Sequence, residues 1–310
     1  MDELISVVLR FALYTHLLAL FGMALFGLYS LNGEERRSGK VLRLRPILTG
    51  TAFGGALLSL ASMAQMAKTM SGATAWGDVL PHIQMMVWET EFGAVWCLRV
   101  GALLLASMAA AFTYRWPVPV LVTVVMAGGV AVASLAWAGH GAMDEGARRF
   151  WHFAADIVHM LAGAAWFGAL IAFVLMLRLQ QIETLDTVKT LSRTLSGFAG
   201  AGGAIVLTIV LTGAVNYWLV AGPTLTTLIH STYGLLLLAK IAVFGAMLAL
   251  AAVHRYRLAP QLDRAISAGH YGDAARQLRS SMSMELACGT TVLALIAWLG
   301  TLSPQPDMGL

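Results

Sequence analysis

Apolar stretches near residues 5–31, 46–69, 90–114, 117–138, 150–177, 196–220, 229–254 and 282–302 alternate with shorter polar connections. A helix needs about 20 residues to cross a bilayer, so this pattern predicts an all-α integral membrane protein with about eight transmembrane helices. The fifth stretch is not apolar all round. At 100° per residue, His152, Asp156, His159, Gly163 and Trp166 fall within about an 80° arc, while Phe153, Ile157, Val158 and Ala164 point elsewhere. A carboxylate in a hydrophobic span costs roughly 2.5–3.5 kcal/mol on insertion scales, so Asp156 must face protein or water and have a partner. This helix is expected to carry a site.

Composition agrees with the pattern. The 310 residues are 58% hydrophobic and 12% charged, with a mean hydropathy of +0.75, too apolar for a soluble domain of this size. The net charge of +4 sits in loops rather than along one stripe, which orients a membrane protein and implies no nucleic-acid partner. Arg36, Arg37, Lys40, Arg43 and Arg45 fill the first connection, Arg115 the third, Arg178, Lys189 and Arg193 the fifth, and Arg255, Arg257, Arg264, Arg276 and Arg279 the seventh. Basic loops stay cytoplasmic, so both termini are expected in the periplasm of a bacterium. The start, Met1-Asp2-Glu3-Leu4, lacks the basic region of a signal peptide, and the first span reads as retained. Cys97 and Cys288 each lie inside an apolar span and read as small buried hydrophobes, not as a disulfide or thiolate cage.

Two halves resemble each other. Phe92-Gly93 with Arg99 parallels Tyr233-Gly234 with Lys240, His16-Leu17-Leu18-Ala19 parallels His159-Met160-Leu161-Ala162, and Leu48-Thr49-Gly50 parallels Leu195-Ser196-Gly197. The expected architecture is a duplicated four-helix bundle in parallel pseudo-two-fold repeat. The first repeat covers 1–138, a periplasmic connection 139–149, and the second repeat 150–310. His16 and His159 become symmetry mates, roughly 15 Å inside the outer surface at 1.5 Å per residue, facing each other across the junction.

The remaining chemistry clusters on the outer side. Met63, Met66 and Met70 share a helical face, His82, Met85 and Met86 follow in the second outer connection, and His140 and Met143 sit in the fourth. By this topology His82, His140, His152 and His230 lie at or near that surface, and only His254 and His270 are cytoplasmic. Thioether and imidazole suit Cu(I), although methionine more often fills gaps between helices and a lone loop histidine is ordinarily solvated. His152, Asp156 and His159 either ligate a metal or leave Asp156 to orient an imidazole; a third role, favoured here, pairs Asp156 with Lys240 or Arg99, since isolated intramembrane cations need a counter-charge. Glu285, near the cytoplasmic end of the last span, is expected to be solvated or structural. Glu89, Glu91, Trp88 and Trp96 mark an interface. No nucleotide-binding loop, CxxC or catalytic triad is present, so no ATP-driven or hydrolytic activity is expected.

The motifs resemble the CopD family of bacterial copper-resistance inner-membrane proteins, which includes the PcoD type, over nearly the whole chain. Asp156-Ile157-Val158-His159 followed by Trp166-Phe167-Gly168-Ala169-Leu170 looks like the family's helix ending in W-x-G-G-L. Tyr233-Gly234, Lys240 and His254-Arg255-Tyr256-Arg257-Leu258-Ala259-Pro260 look like its Y-G-x5-K and N-R-x-x-L-x-P signatures, and Met284-Glu285-Leu286 matches the acidic start of its last helix. Ala169 replaces a glycine and His254 an expected asparagine. The resemblance implies copper handling at the inner membrane, usually taken as uptake, with a periplasmic CopC-like carrier as donor. The leading expectation is a copper permease passing the ion from outer His and Met sites to His16 and His159. Weak successive sites suit movement, since a tight cage would trap the ion. The rival is a haem b protein with His16 and His159 as axial ligands, and a third reading is a non-transporting copper sensor or docking partner.

Overall fold

A computed structural model describes residues 2–72, 75–139, 146–179, 185–221 and 231–302. His140, Met143 and His230 lie outside them. The elements are α1 (Asp2–Ser30), α2 (Gly33–Ser38), α3 (Leu44–Ser71), α4 (Trp76–Glu89), α5 (Glu91–Ala110), α6 (Pro117–Ala133) with a 3-10 turn at Ser134–Ala138, α7 (Gly146–Leu179), α8 (Leu185–Ala221), α9 (Thr232–Val253) with a π turn at His254–Leu258, α10 (Ala259–Ser267) and α11 (Gly272–Leu299). Among the described residues eight helices are long and apolar enough to span a membrane, and the chain is a multi-pass membrane protein.

Three elements differ from the hydropathy reading. The second outer connection contains a helix, α4, whose Val79 and Met86 are buried with Met63 and Ala67 and flanked by Ile83 and Val87. That spacing is helical, but the helix is too short and too polar to register as a span. Helix α8 begins at Leu185 instead of 196, with Val188, Leu191 and Leu195 buried. Helix α11 begins at Gly272 instead of 282, with Ala275, Leu278 and Met282 buried. In both, charged residues on the opposite face lower the mean hydropathy while an apolar stripe at helical spacing still packs inward.

Local chemistry sets the helix ends. Thr90 Oγ1 accepts from the Gly93 amide and Ser231 Oγ from the Gly234 amide, each at 3.0 Å, so α5 and α9 start with the same cap. Arg36 donates to the Gly27 carbonyl at 2.9 Å and the Leu28 carbonyl at 2.5 Å, placing a cation on the unsatisfied end of α1. Arg10 donates to the Gly300 carbonyl, which puts the start of α1 beside the end of α11. The side of the bundle holding both ends is called the terminal face below.

Helix α1 is the spine, packed against α3, α6, α7 and α11. It crosses α7 main chain against main chain: a methyl on Gly168 would overlap the Gly22 backbone, and one on Gly22 would overlap the Ala164 carbonyl oxygen. Only glycine allows that approach. Spans α1, α3, α5 and α6 close into a ring in which each packs on the next. The second four do not. Helix α7 packs on α8 and α11, and α9 on α11, whereas α8 and α9 meet through a small core in which Ile209 and Met247 join Trp166 and Leu170 of α7. They are bridged opposite the terminal face, where Arg255 donates to the Ala199 carbonyl at 3.0 Å and Ser192 to Asp263 of α10.

Candidate functional site

The polar arc of α7 becomes a seam of bonded side chains. At its terminal-face end His152 Nε2 lies 3.8 Å from Asp156 Oδ2, with His152 buried. Asp156 Oδ1 accepts from Asn216 Nδ2 of α8 at 2.7 Å. One turn further, His159 Nδ1 lies 3.0 Å from Thr212 Oγ1, and the Thr212 hydroxyl also reaches the Thr208 carbonyl at 2.6 Å. Spacing of three and four residues along one helix stacks these groups, and α8 supplies their partners.

The seam ends in a buried knot. Trp166 Nε1 donates to Glu285 Oε1 at 2.9 Å, His254 Nδ1 lies 2.8 Å from Glu285 Oε2, and His254 Nε2 lies 2.6 Å from Ser281 Oγ. Trp166, His254 and Glu285 are 5%, 4% and 1% exposed, so Glu285 is enclosed and not solvated. The π turn at His254–Leu258 widens the helix where His254 enters, a local irregularity that re-aims a side chain.

The other expected residues take separate places. His16 Nδ1 bonds the Ala12 carbonyl at 2.8 Å, and its ring lies against Gly54 of α3, where a Cβ would come within 2.8 Å of it. His16 and His159 thus each engage the second span of their own half, α3 and α8. Arg99 is buried and held by Ser134, with Nε to Oγ at 2.7 Å and Nη2 to the carbonyl at 3.1 Å. It serves the end of α6 as a C-terminal cation. Met63 and Met86 fill the small core between α3, α4 and α5, whereas Met66, Met70 and Met85 are exposed. His82 Nδ1 bonds the Asp78 carbonyl at 3.0 Å on α4. Among the described residues no three or more His, Cys, Asp or Glu side chains gather as a metal cage.

Sequence reading missed Asn216, Thr212 and Ser281 as partners. Asn216 was within reach: an amide inside Leu211-Thr212-Gly213-Ala214-Val215-Asn216 needs the same explanation as Asp156.

Residues 1–150 match the family described as copper resistance protein D-like, N-terminal domain, and residues 192–299 the family described as copper resistance protein D. The chain is 54% identical to copper resistance protein D of Pseudomonas syringae pv. tomato over 310 residues, the full length of both. It is 29% identical to inner membrane protein YebZ of Escherichia coli strain K12 over 306 residues, 96% of this chain and 98% of the relative. Against copper transport protein CutJ of Bacillus subtilis strain 168 it is 26% identical over 311 residues, 96% of this chain and 52% of the relative. No solved structure matches.

Proposed function

The chain belongs to the copper resistance protein D family, and from that premise we propose that it carries copper across the bacterial inner membrane. The observation that supports transport is the bonded seam along α7, where His152, Asp156 and His159 meet Asn216 and Thr212 inside a span that lipid alone would keep apolar. The terminal face is periplasmic on this reading, because the basic connections lie opposite it. Cu(I) arrives there from a CopC-like periplasmic carrier and is collected by the exposed thioethers of Met66, Met70 and Met85 with His82 and His140. It then enters the seam at His152, moves to His159, and leaves toward the cytoplasm. Several modest N, O and S donors in series hold the ion loosely enough for it to leave, which is what conduction requires.

The test is copper accumulation by right-side-out vesicles. His159→Ala is expected to abolish accumulation while the protein still inserts. Unchanged accumulation in that variant removes the seam from the mechanism. His16→Ala decides the extent of the path: loss keeps both deep histidines in it, and retention assigns it to the α7 half alone.

A further inference from the structure

Opposite the terminal face, the connection from α1 to α3 meets the connection from α5 to α6 around a cavity of about 480 Å3 lined by Arg37, Ser38, Gly39, Lys40, Arg43 and Tyr114. One turn gives the cavity its floor. Gly39 ends α2 in the left-handed conformation, with φ 62°, and lies against the Tyr114 ring, where a Cβ would come within 3.0 Å of the phenol oxygen. Both the backbone angle and the close approach call for glycine.

Three cations share this space without a counter-charge. Among the described residues the side chains of Arg37, Lys40 and Arg43 have no ion pair and no hydrogen bond. Their neighbours are already engaged: Arg36 donates to the Gly27 and Leu28 carbonyls, and Glu35 accepts from Arg193 and from the Asn32 amide, each at 2.7 Å. Glu34, the other acid of α2, does not line the cavity. Like charges held together beside an apolar phase repel, and an anion with several acceptor oxygens relieves that repulsion. Guanidinium forks, an ammonium and the hydroxyls of Ser38 and Tyr114 are the donors that phosphate oxygens take.

Depth in the membrane selects the source of the phosphate. Leu44 opens the span α3 directly after Arg43, and Phe112 and Trp116, on either side of Tyr114, are exposed. Exposed aromatic side chains beside basic ones mark the headgroup layer. We propose that this cavity is a phosphate site filled by the headgroup of an anionic phospholipid, in the leaflet opposite the terminal face. The phosphodiester joins the α2 turn to the α5–α6 connection, so that lipid completes the ring of the first four spans. The site shares no residue with the seam along α7 and stands independently of the copper reading.

The experiment follows the thermal transition of the purified full-length protein in nonionic detergent during titration with short-chain phosphatidylglycerol, phosphatidylcholine of the same chain length, or inorganic phosphate. Phosphatidylglycerol is expected to raise the transition saturably, and phosphatidylcholine, whose choline cancels the charge, to act more weakly. Arg37→Gln, Lys40→Gln and Arg43→Gln should each weaken the apparent affinity for phosphatidylglycerol about fivefold. Arg45→Gln and Arg115→Gln remove exposed cations of the same two connections that do not line the cavity, and should leave the affinity nearly unaltered. Equal losses in the two sets, or equal stabilisation by the two lipids, overturn the proposal. Stabilisation by inorganic phosphate that phosphatidylglycerol does not exceed overturns lipid as the occupant. If a cation variant fails to fold, Tyr114→Phe decides in its place: weakened binding supports the cavity, and unaltered binding overturns it.

Discussion

Glu285 and His254 show how burial changes the meaning of a residue. On the sequence Glu285 reads as solvated or structural and His254 as cytoplasmic; in the fold Trp166, Ser281 and the pair itself enclose them. Removing one member of a buried hydrogen-bonded pair leaves its partner's polar atom stranded, at a cost of about 1–3 kcal/mol. Glu285→Ala should therefore lower the thermal transition of the detergent-solubilised protein steeply. Glu285→Gln, which keeps an acceptor for the Trp166 indole, should lower it less. Equal losses in the two would mean that the carboxylate contributes only shape. The knot was partly legible: Trp166 and Glu285 each stood out as polar groups near apolar spans, and the histidine at 254 stood out against the expected asparagine. What one sequence could not show is that a π turn brings His254 back onto α11, since nothing in the pattern Val253-His254-Arg255 marks a widened turn.

At the scale of the helix, α7 was the most readable element. Its polar arc at helical spacing predicted one functional face, and the side chains of that face are the ones bonded to α8 and α11. Glycines on the same helix were harder to rank. Gly163 lies in the arc with open space around the position of a Cβ, whereas Gly168, outside it, meets the main chain of α1. Gly163→Ala should leave stability within about 0.5 kcal/mol. Gly168→Val should prevent the halves from assembling, read as loss of the monodisperse peak in size-exclusion chromatography. If both behave alike, the crossing of α1 and α7 is looser than described. Helix α4 was illegible for a different reason: hydropathy over span-length windows averages away a short amphipathic helix.

For the whole molecule, the number of spans and their order were readable because every apolar run crosses once, while packing between them was not. A sequence can suggest that two halves are alike, but it does not reveal that the first four spans close a ring and that α8 and α9 meet through a small core around Trp166. The charge pattern makes a prediction at this scale. In a background of Cys97→Ser and Cys288→Ala, a cysteine at Thr301 should react with an impermeant maleimide added to intact spheroplasts, and one at Ala268 should react only after lysis. The reverse pattern would invert the proposed direction of copper movement. Both positions also sit at helix ends, where a small thiol disturbs little packing.

The glycine crossing constrains the mechanics. Helices that slide or pivot on one another do so through a layer of side chains that can exchange rotamers, and α1 and α7 have no such layer at Gly22 and Gly168. The joint between the halves is a weld, not a bearing. A transport cycle in which two rigid halves rock about their shared seam, as in many repeat-built carriers, has no axis available there. The degrees of freedom are left to α8 and α9, which join through a small core at Ile209 and Met247, and the first four spans become the fixed frame against which they move.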